Sequence, residues 1–88
     1  MIELFTADTP NGKKISIMLE EIKFDYRVTK IDLTKGEQFQ KNFRKISPFS
    51  KIPVIKDHEN GEEIFESGAI LIYLAEKSNM LYEKKDRL

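Results

Sequence analysis

The stretch KIPVIKDHENGEEIFESGAILIYLA, residues 51–75, sets the architecture of the chain. Residues 52–56 are predicted to form a strand, whose proline suits a strand start or a sheet edge. Asn60-Gly61 is a strong hairpin signal, and residues 62–65 return as a second strand. A helix is predicted from about residue 67 to residue 77. The stretch therefore predicts an antiparallel hairpin followed by a helix.

The residues before this stretch add two strands and two helices. Residues 2–5 and 26–32 are predicted strands, the second because apolar and polar residues alternate along it. Thr9-Pro10 has the form of a helix start, with an N-cap hydroxyl and a proline at the first helical position. The helix that follows has apolar residues at the i, i+3, i+4, i+7 spacing: Ile15, Met18, Leu19 and Ile22. It is expected to end near Phe24.

A weaker, polar helix is predicted from about residue 37 to residue 46, with Phe39, Phe43 and Ile46 facing inward. The element order is therefore β-α-β-α-β-β-α. Strands joined through a helix should be parallel with a right-handed crossover, and the closing hairpin should be antiparallel. We expect one α/β domain, a mixed four-stranded sheet flanked by helices.

The composition excludes several classes of protein. Fifteen basic residues balance fifteen acidic ones, so the chain lacks the strong positive field of a sequence-independent nucleic-acid binder. The longest apolar run, residues 69–75, is too short to span a membrane. The first residues, MIELFTAD, lack the basic start and apolar core of a secretory signal, which predicts a cytoplasmic location.

The chain contains no cysteine. This excludes a disulfide framework, a thiolate zinc site and a CxxC redox pair, and with the last of these a glutaredoxin-type dithiol enzyme. No metal site is expected, because His58 has no second ligand at metal spacing and is predicted to be solvated. Any thiol chemistry must therefore use a thiol from outside the chain.

Two helices are predicted to carry apolar residues that the sheet does not cover. Residues 69–75 are apolar around the whole helix, and Ile17 lies nearly opposite the apolar stripe of the first helix. Single apolar residues on a surface are common, but two helices that share the feature favour a missing partner surface. The chain is therefore interpreted as the N-terminal part of a larger protein or as an obligate partner.

Three loops carry polar residues that the predicted topology brings to one edge of the sheet. The first holds Thr9 and Asn11 at the start of a helix, where partial positive charge favours an anion such as a thiolate. Thr9 taken alone is explained equally well as a helix cap.

The second loop contains Lys51-Ile52-Pro53, and the third contains Glu66-Ser67 at the start of the last helix. A cis bond before Pro53 would leave the Ile52 backbone groups free to pair with an extended peptide. Glu66 could pair with an ammonium group, whereas Ser67 also fits an N-cap.

In this order, the motifs resemble those of the N-terminal, thioredoxin-like domain of cytosolic glutathione transferases, over essentially the whole chain. The likeness is greatest to the nu-class, disulfide-reductase branch. Four segments carry it: TPNGKKISIMLEE (9–21), KGEQF (35–39), ISPFSKIPVI (46–55) and IFESGAILIYLAEK (64–77). The resemblance implies a thioredoxin-like fold and glutathione as co-substrate.

The resemblance also implies roles for individual residues. The Ile52-Pro53 bond is cis in that family, and the Ile52 backbone would pair with the cysteinyl part of glutathione. Glu66 and Ser67 would hold the γ-glutamyl amino and carboxylate groups. Gln38 would reach other polar groups of the tripeptide, and Lys51 would do likewise at the glycine carboxylate.

Most transferase classes orient the thiolate with a Tyr, Ser or Cys near the first helix, and the comparable place here holds none of them. Thr9 and Asn11 are the candidates for the catalytic role that the likeness implies. Asn11 and the helix N-terminus would hydrogen-bond the thiolate and lower the pKa of a thiol that is ordinarily near ~8.5–9. The thiolate would then attack an electrophile or reduce a disulfide.

The family's second, all-helical domain supplies the electrophile pocket and part of the dimer interface, and it has no counterpart in these 88 residues. We expect residues 1–80 to form the glutathione-binding domain and residues 81–88 to begin the linker to the second domain. The full-length protein is expected to be a homodimer. The uncovered apolar faces favour a chain cut at the domain boundary over a natural short protein.

Two functions remain open from the sequence. The chain is either an enzyme domain that activates glutathione for transfer or disulfide reduction, or a non-catalytic interaction module of the same fold. The retained set of Asn11, Gln38, Ile52-Pro53 and Glu66-Ser67 favours the enzyme, because a scaffold does not need all of it.

Overall fold

The computed structural model describes residues 1–47 and 50–86, with side chains as far as Asn79. Strands and helices follow in the predicted order: β1 (Ile2–Thr6), α1 (Pro10–Glu21), β2 (Tyr26–Lys30), α2 (Lys41–Ile46), β3 (Val54–Asp57), β4 (Glu63–Phe65) and α3 (Ser67–Asp86). Two single 3₁₀ turns, Leu33–Lys35 and Glu37–Phe39, lie between β2 and α2. Pro48 and Phe49, which belong to one of the motif segments, lie outside the described residues, as do Arg87 and Leu88.

The four strands form one mixed sheet in the order β2-β1-β3-β4. β1 pairs parallel with β2 and antiparallel with β3, and β3 pairs antiparallel with β4. Leu4 at the centre of β1 has Val28 and Ile55 as its two cross-strand partners. The predicted mixed sheet and antiparallel hairpin are confirmed.

Helices cover the sheet on both faces. Successive side chains of a strand point to opposite faces, so Ile2 and Leu4 point to one side of β1 and Phe5 to the other. On the first side, residues of α1, β3 and α3 complete the core and are fully buried: Ile15, Leu19, Ile55, Ile70 and Leu74. On the second side, the ring of Phe5 lies 6.4 Å from that of the buried Phe43 in α2. Burial of each such side chain stabilises the fold by about 1.5–3 kcal/mol.

The segment between β2 and β3 differs from its prediction. A helix over residues 37–46 was predicted, but Gln40 has extended backbone (φ −66°, ψ 144°) and separates the turn Glu37–Phe39 from α2. The Glu37 carboxylate accepts the Asp32 N–H at 2.7 Å, which holds this turn in place instead of a helix. Phe39 is consequently 64% exposed, so the prediction that it faces inward was wrong.

The last helix is longer than predicted. It was expected to end near Lys77 but continues to Asp86. Residues 78–86 contain no glycine or proline to end it, and most of them are good helix formers. The helix therefore extends into the segment from residue 81 that was predicted to be a linker.

Two apolar side chains on the helices are left uncovered. Ile17 of α1 is 60% exposed and Ile72 of α3 is 63% exposed, which confirms the predicted exposure of apolar residues on these helices. In the described part of the chain, no helix is long and apolar enough to cross a membrane.

A buried carboxylate ties α3 to the hairpin. Asp57 at the end of β3 is fully buried, and its Oδ2 accepts hydrogen bonds from the Tyr73 hydroxyl at 2.6 Å and from Lys77 Nζ at 2.5 Å. Its Oδ1 accepts the Glu59 N–H at 3.0 Å. Burial alone would raise the pKa of Asp57, but the hydrogen bonds from Lys77, Tyr73 and Glu59 outweigh it and lower the pKa.

Replacing Asp57 by Asn should lower the free energy of unfolding by about 3 kcal/mol, because Lys77 and Tyr73 then lose a buried charged acceptor. Urea unfolding measures the change. Asp8→Asn is the matched control: the Asp8–Lys13 pair is 77% and 69% exposed, and its loss should cost under ~0.5 kcal/mol. Equal unfolding midpoints for the two variants would contradict the expectation.

A second buried carboxylate joins β1, β2 and the hairpin turn. Glu3 Oε1 accepts from Arg27 Nη2 at 2.7 Å and lies 2.8 Å from His58 Nε2, and Oε2 accepts from the Thr29 hydroxyl at 2.7 Å. His58 is thus paired as well as partly exposed, so its description as simply solvated was incomplete. Burial alone would raise the pKa of Glu3, but hydrogen bonds from Thr29, Arg27 and His58 lower it from 4.5 to about 2.

The low pKa of Glu3 predicts a pH dependence of stability. Because the pKa is lower in the folded than in the unfolded protein, its stabilising contribution is complete above pH 4.5 and is lost as the pH falls towards 2. We expect a loss of about 2 kcal/mol across this window. Urea unfolding from pH 6 to pH 2.5 should show a shallower pH dependence for Glu3→Gln than for the parent or for Glu63→Gln. Identical pH profiles for all three would refute this.

Candidate functional site

A cleft of about 210 Å³ opens where α1, the residues before β3 and the start of α3 meet. Eight residues line it: Asn11, Ser47, Lys51, Ile52, Pro53, Phe65, Glu66 and Ser67. Six of these were predicted site residues, from three loops that are distant in the sequence. Thr9 and Gln38, the other two predicted residues, are not among the lining residues.

The first loop presents Asn11 in the first turn of α1. Thr9 caps this helix, because its Oγ1 accepts the Gly12 N–H at 3.1 Å. This agrees with the interpretation of Thr9 as a helix cap. The Asn11 side chain is exposed, and within residues 1–47 and 50–86 it has no hydrogen-bond partner. Its amide is therefore available to a ligand at the positive end of α1.

Gly12 lets the start of α1 lie close against the end of β1. A Cβ atom at Gly12 would lie 2.0 Å from Thr6 Oγ1 and 2.8 Å from the Ala7 carbonyl oxygen. Any side chain would therefore push this end of the helix away from the sheet. Glycine is needed here for the close approach that brings Asn11 to the cleft.

The second loop is fixed by Ser47, a cleft residue that the sequence reasoning missed. Ser47 is buried, and its hydroxyl donates to the Lys51 carbonyl at 2.8 Å and accepts the Lys51 N–H at 3.0 Å. These bonds hold the backbone just before Ile52. The available signal was a serine directly before a proline, since serine hydroxyls often bond to nearby backbone in turns. The Ile52-Pro53 bond is cis, as the resemblance implies.

The third loop holds Glu66 in an unusual backbone conformation. Its φ of +71° lies in the left-handed region, which costs a non-glycine residue on the order of 1–3 kcal/mol and often marks a functional site. The Glu66 carbonyl accepts the Ile70 N–H at 3.0 Å, and Ser67 is the first residue of α3. The N-cap explanation of Ser67 was therefore wrong. Among the described residues, neither the Glu66 nor the Ser67 side chain has a hydrogen-bond partner.

Gln38 lies in the turn Glu37–Phe39 and is not among the residues that line the cleft. Its Oε1 is buried and accepts no hydrogen bond in the part of the chain that the structure describes. Leaving a buried acceptor unpaired costs about 1–3 kcal/mol. A donor from outside the chain would remove that cost.

The cleft combines groups of different chemistry. Asn11 offers an amide, Lys51 an ammonium, Glu66 a carboxylate and Ser67 a hydroxyl at the start of a helix. A ligand that satisfies them has both an ammonium and carboxylates, together with an extended backbone for Ile52. Among residues 1–47 and 50–86, no group of three or more His, Asp or Glu residues could hold a metal ion.

Comparison with known proteins identifies the family. The profile of the family described as glutathione S-transferase, N-terminal domain, matches residues 2–76. The chain belongs to this family. The disulfide-bond oxidoreductase YfcG of Escherichia coli (strain K12) is 52% identical to it over 92 residues, which cover 99% of this chain and 43% of YfcG. The disulfide-bond oxidoreductase YghU of the same organism is 43% identical over 84 residues, covering 86% of this chain and 29% of YghU.

Solved structures with bound glutathione share the fold. Ure2p in complex with glutathione superposes with a TM-score of 0.84 and 35% identity, over 88% of this chain and 35% of that one. A glutathione transferase family member from Pseudomonas fluorescens pf-5, with two glutathione bound, gives a TM-score of 0.81 and 45% identity, over 89% and 36%. The predicted thioredoxin-like fold and the likeness to the disulfide-reducing branch are confirmed. The chain spans less than half the length of these relatives.

The Ser47 hydroxyl should matter for the order of this loop. Ser47→Ala removes both of its bonds to Lys51 and should lower the free energy of unfolding by about 2 kcal/mol. Amide hydrogen exchange should become at least about tenfold faster at Lys51, while exchange in β1 follows the global change. Ser47→Thr keeps the hydroxyl and should restore slow exchange.

Ser78→Ala is the control for this variant, because the one bond of the Ser78 hydroxyl within the described side chains goes to the Ala75 carbonyl of its own helix, at 3.0 Å. It should leave exchange at Lys51 unchanged. Exchange at Lys51 that is equally slow in Ser47→Ala and Ser78→Ala would show that the Ser47 bonds do not order the loop.

Proposed function

We propose that this chain is the glutathione-binding domain of a glutathione transferase of the disulfide-reducing kind. It binds glutathione in the cleft and stabilises the thiol as a thiolate, for reduction of disulfides or transfer to electrophiles. The convergence of Asn11, Lys51, Ile52, Glu66 and Ser67 on one cleft carries the proposal. The two disulfide-bond oxidoreductases support the reaction, and the two glutathione-bound structures support the ligand.

Glutathione has one ammonium, two carboxylates, two peptide groups and one thiol. The Glu66 carboxylate pairs with the γ-glutamyl ammonium. The Ser67 hydroxyl and the start of α3 hold the γ-glutamyl carboxylate, since helix N-termini favour anions. The backbone of Ile52, next to Pro53, pairs with the cysteinyl residue, as an added strand pairs with a sheet edge.

Two further side chains complete the proposed binding. Lys51 is exposed at the cleft and pairs with the glycine carboxylate of glutathione. Gln38 has a buried acceptor without a partner among the described residues. A donor of the tripeptide backbone satisfies this acceptor, although Gln38 is not a lining residue of the cleft.

The thiol lies at the start of α1. The Asn11 amide donates a hydrogen bond to the thiolate sulfur, and the positive end of the helix adds to its stabilisation. The Thr9 oxygen accepts the Gly12 N–H at 3.1 Å, and its hydroxyl proton can donate a hydrogen bond to the thiolate, which offers only acceptor sites. Both interactions favour the charged form of the thiol and so lower its pKa.

The reaction needs no thiol from the protein, in agreement with a chain that has no cysteine. The glutathione thiolate attacks one sulfur of a disulfide, a new sulfur–sulfur bond forms, and the second sulfur leaves as a thiolate that takes a proton from water. A second glutathione reduces the mixed disulfide in the same way and leaves glutathione disulfide. Two glutathiones are thereby oxidised for each disulfide that is reduced.

The rest of the assembly follows from the same proposal. An all-helical second domain covers the exposed side chains of Ile17 and Ile72 and provides the acceptor pocket. Residues 1–80 form the glutathione domain, and the connection to the second domain begins at residue 81, within the last turns of α3. The full-length protein is a homodimer, and its place is the cytosol, where the glutathione pool is reducing.

Two variants test the proposal in the purified protein. Asn11→Ala should lower turnover of a small disulfide about 100-fold and raise the apparent pKa of bound glutathione, because the thiolate loses a hydrogen bond. Ser67→Ala should weaken glutathione binding about tenfold, because a charged carboxylate loses a donor. Titration calorimetry and the pH profile of turnover measure these effects.

Asn42→Ala is the control, because Asn42 is exposed on α2 and outside the cleft lining. It should change neither quantity. If Asn11→Ala and Ser67→Ala behave like this control, the chain is a non-catalytic interaction module of the same fold and the proposed function is wrong.

A further inference from the structure

The positive charge of this neutral chain is concentrated in one segment. Residues 38–56 contain five cationic residues and no Asp or Glu: Lys41, Arg44, Lys45, Lys51 and Lys56. The other 69 residues contain ten cationic and fifteen acidic residues. The segment therefore has a net charge of +5, and the rest of the chain has a net charge of −5. A charge distribution of this kind produces a strong local potential even when the net charge is zero.

Three of these cations, all on α2, share a surface hollow with an exposed aromatic ring from the turn before it. Phe39, Lys41, Arg44 and Lys45 line an open hollow of about 440 Å³, here called the α2 patch. All four side chains are exposed, and no carboxylate among the side chains that the structure describes lines the hollow. Among the described residues, none of the three cations forms an ion pair. Their charge is therefore available to an outside partner.

The outward position of Phe39 is imposed by its backbone. The extended conformation of Gln40 interrupts the helix, so that Phe43 packs against the sheet while Phe39 stays 64% exposed. A single exposed apolar residue is ordinary. Aromatic residues and arginine are instead enriched at the centre of protein interfaces, and charged residues such as lysine belong to the polar rim around it.

The α2 patch lies beside the cleft. α2 has six residues and is about 9 Å long at 1.5 Å per residue. Phe39 and Lys41 precede or begin it, and Ser47, which directly follows it, lines the cleft. A chain held on the patch can therefore place a group in the cleft by extending over about one short helix.

We propose that the α2 patch docks an acidic polypeptide with an apolar anchor and so selects acidic disulfide-bearing polypeptides as acceptors. This rests on the proposed function. Carboxylates of the partner pair with Lys41, Lys45 and the planar guanidinium of Arg44, and an apolar side chain packs on Phe39. Docking increases the local concentration of the disulfide at the cleft, where the glutathione thiolate displaces one of its sulfurs as described above.

A polypeptide fits this surface better than a nucleic acid or an anionic membrane. The patch has three cations within one hollow, whereas the rest of the chain outside residues 38–56 has a net charge of −5. A long, uniform polyanion extends beyond the patch and would be repelled by the negatively charged remainder of the chain. A short acidic segment avoids it, and its apolar anchor uses Phe39, which phosphate groups do not.

Binding of a fluorescent twelve-residue peptide, rich in Glu and containing one Leu, tests the docking by anisotropy. The Lys41→Glu/Arg44→Glu variant should bind the peptide at least tenfold more weakly than the parent protein. Phe39→Ala should weaken binding about fivefold while leaving its dependence on salt unchanged. Lys14→Glu/Lys30→Glu changes the net charge equally at exposed lysines outside the patch and should weaken binding less than twofold.

Two results would overturn the docking proposal. One is equal weakening by the patch variant and by Lys14→Glu/Lys30→Glu, since the effect would then follow net charge alone. The other is binding of a DNA oligonucleotide or of vesicles with anionic lipid that is as tight as binding of the peptide. Matching urea midpoints of the variants exclude unfolding as the cause of any loss.

Turnover separates this proposal from the function on which it rests. Lys41→Glu/Arg44→Glu should raise the KM for an acidic peptide disulfide about tenfold, leave kcat unchanged, and leave turnover of a small neutral disulfide unaffected. If the KM for the acidic disulfide is unchanged and the small disulfide is turned over normally, acceptor selection is refuted but the proposed function is not. Absence of turnover on both, with no glutathione bound, would refute the proposed function, while anisotropy still decides the docking.

Discussion

The site depends on the way α1 and α3 pack side by side against the same face of β1 and β3. Leu4, Ile15, Ile55, Ile70 and Leu74 are all fully buried where these four elements meet. Because this packing fixes both helices along the sheet, their N-termini come to one end of it. The turn before β3 lies at the same end. Each buried side chain of the apolar core stabilises the fold by about 1.5–3 kcal/mol. The core thereby positions the elements that form the cleft, although its own side chains do not line the cleft.

The polar side chains fall into two sets with different roles, buried groups that hold the fold together and groups that face the cleft. Asp57 and Glu3 accept hydrogen bonds at both carboxylate oxygens, and these pairs hold α3, β2 and the hairpin turn in place. In the described part of the chain, the side chains of Asn11, Glu66 and Ser67 have no such partners. These polar groups form no hydrogen bonds within the described chain, and they lie next to a strained backbone at Glu66. Both features are typical of a ligand site.

Much of the fold and most of the cleft could be predicted because the signals were local. Thr9-Pro10 marked the start of α1, Asn60-Gly61 marked the hairpin, and alternation marked β2. Six cleft residues were identified because the motifs stand at the edges of these elements. Ser47 was missed, since its role depends on two bonds to Lys51 that only the closed loop can form. The hydrogen bond between Glu3 and His58 and the ion pair between Asp57 and Lys77 join residues 55 and 20 positions apart.

The sequence by itself determined the element order, the absence of a thiol in the chain and the presence of three polar loops, since each depends on composition or on neighbouring residues. Only the tertiary structure decided which polar groups form hydrogen bonds within the protein and which remain available to a ligand. In the folded chain Thr9 caps α1, and His58 is hydrogen-bonded to Glu3. Phe39 is exposed and lies next to the cations of α2. Those outcomes depend on the competition between hydrogen bonding and burial, which is settled only when distant segments come into contact. They therefore cannot be predicted from neighbouring residues in the sequence.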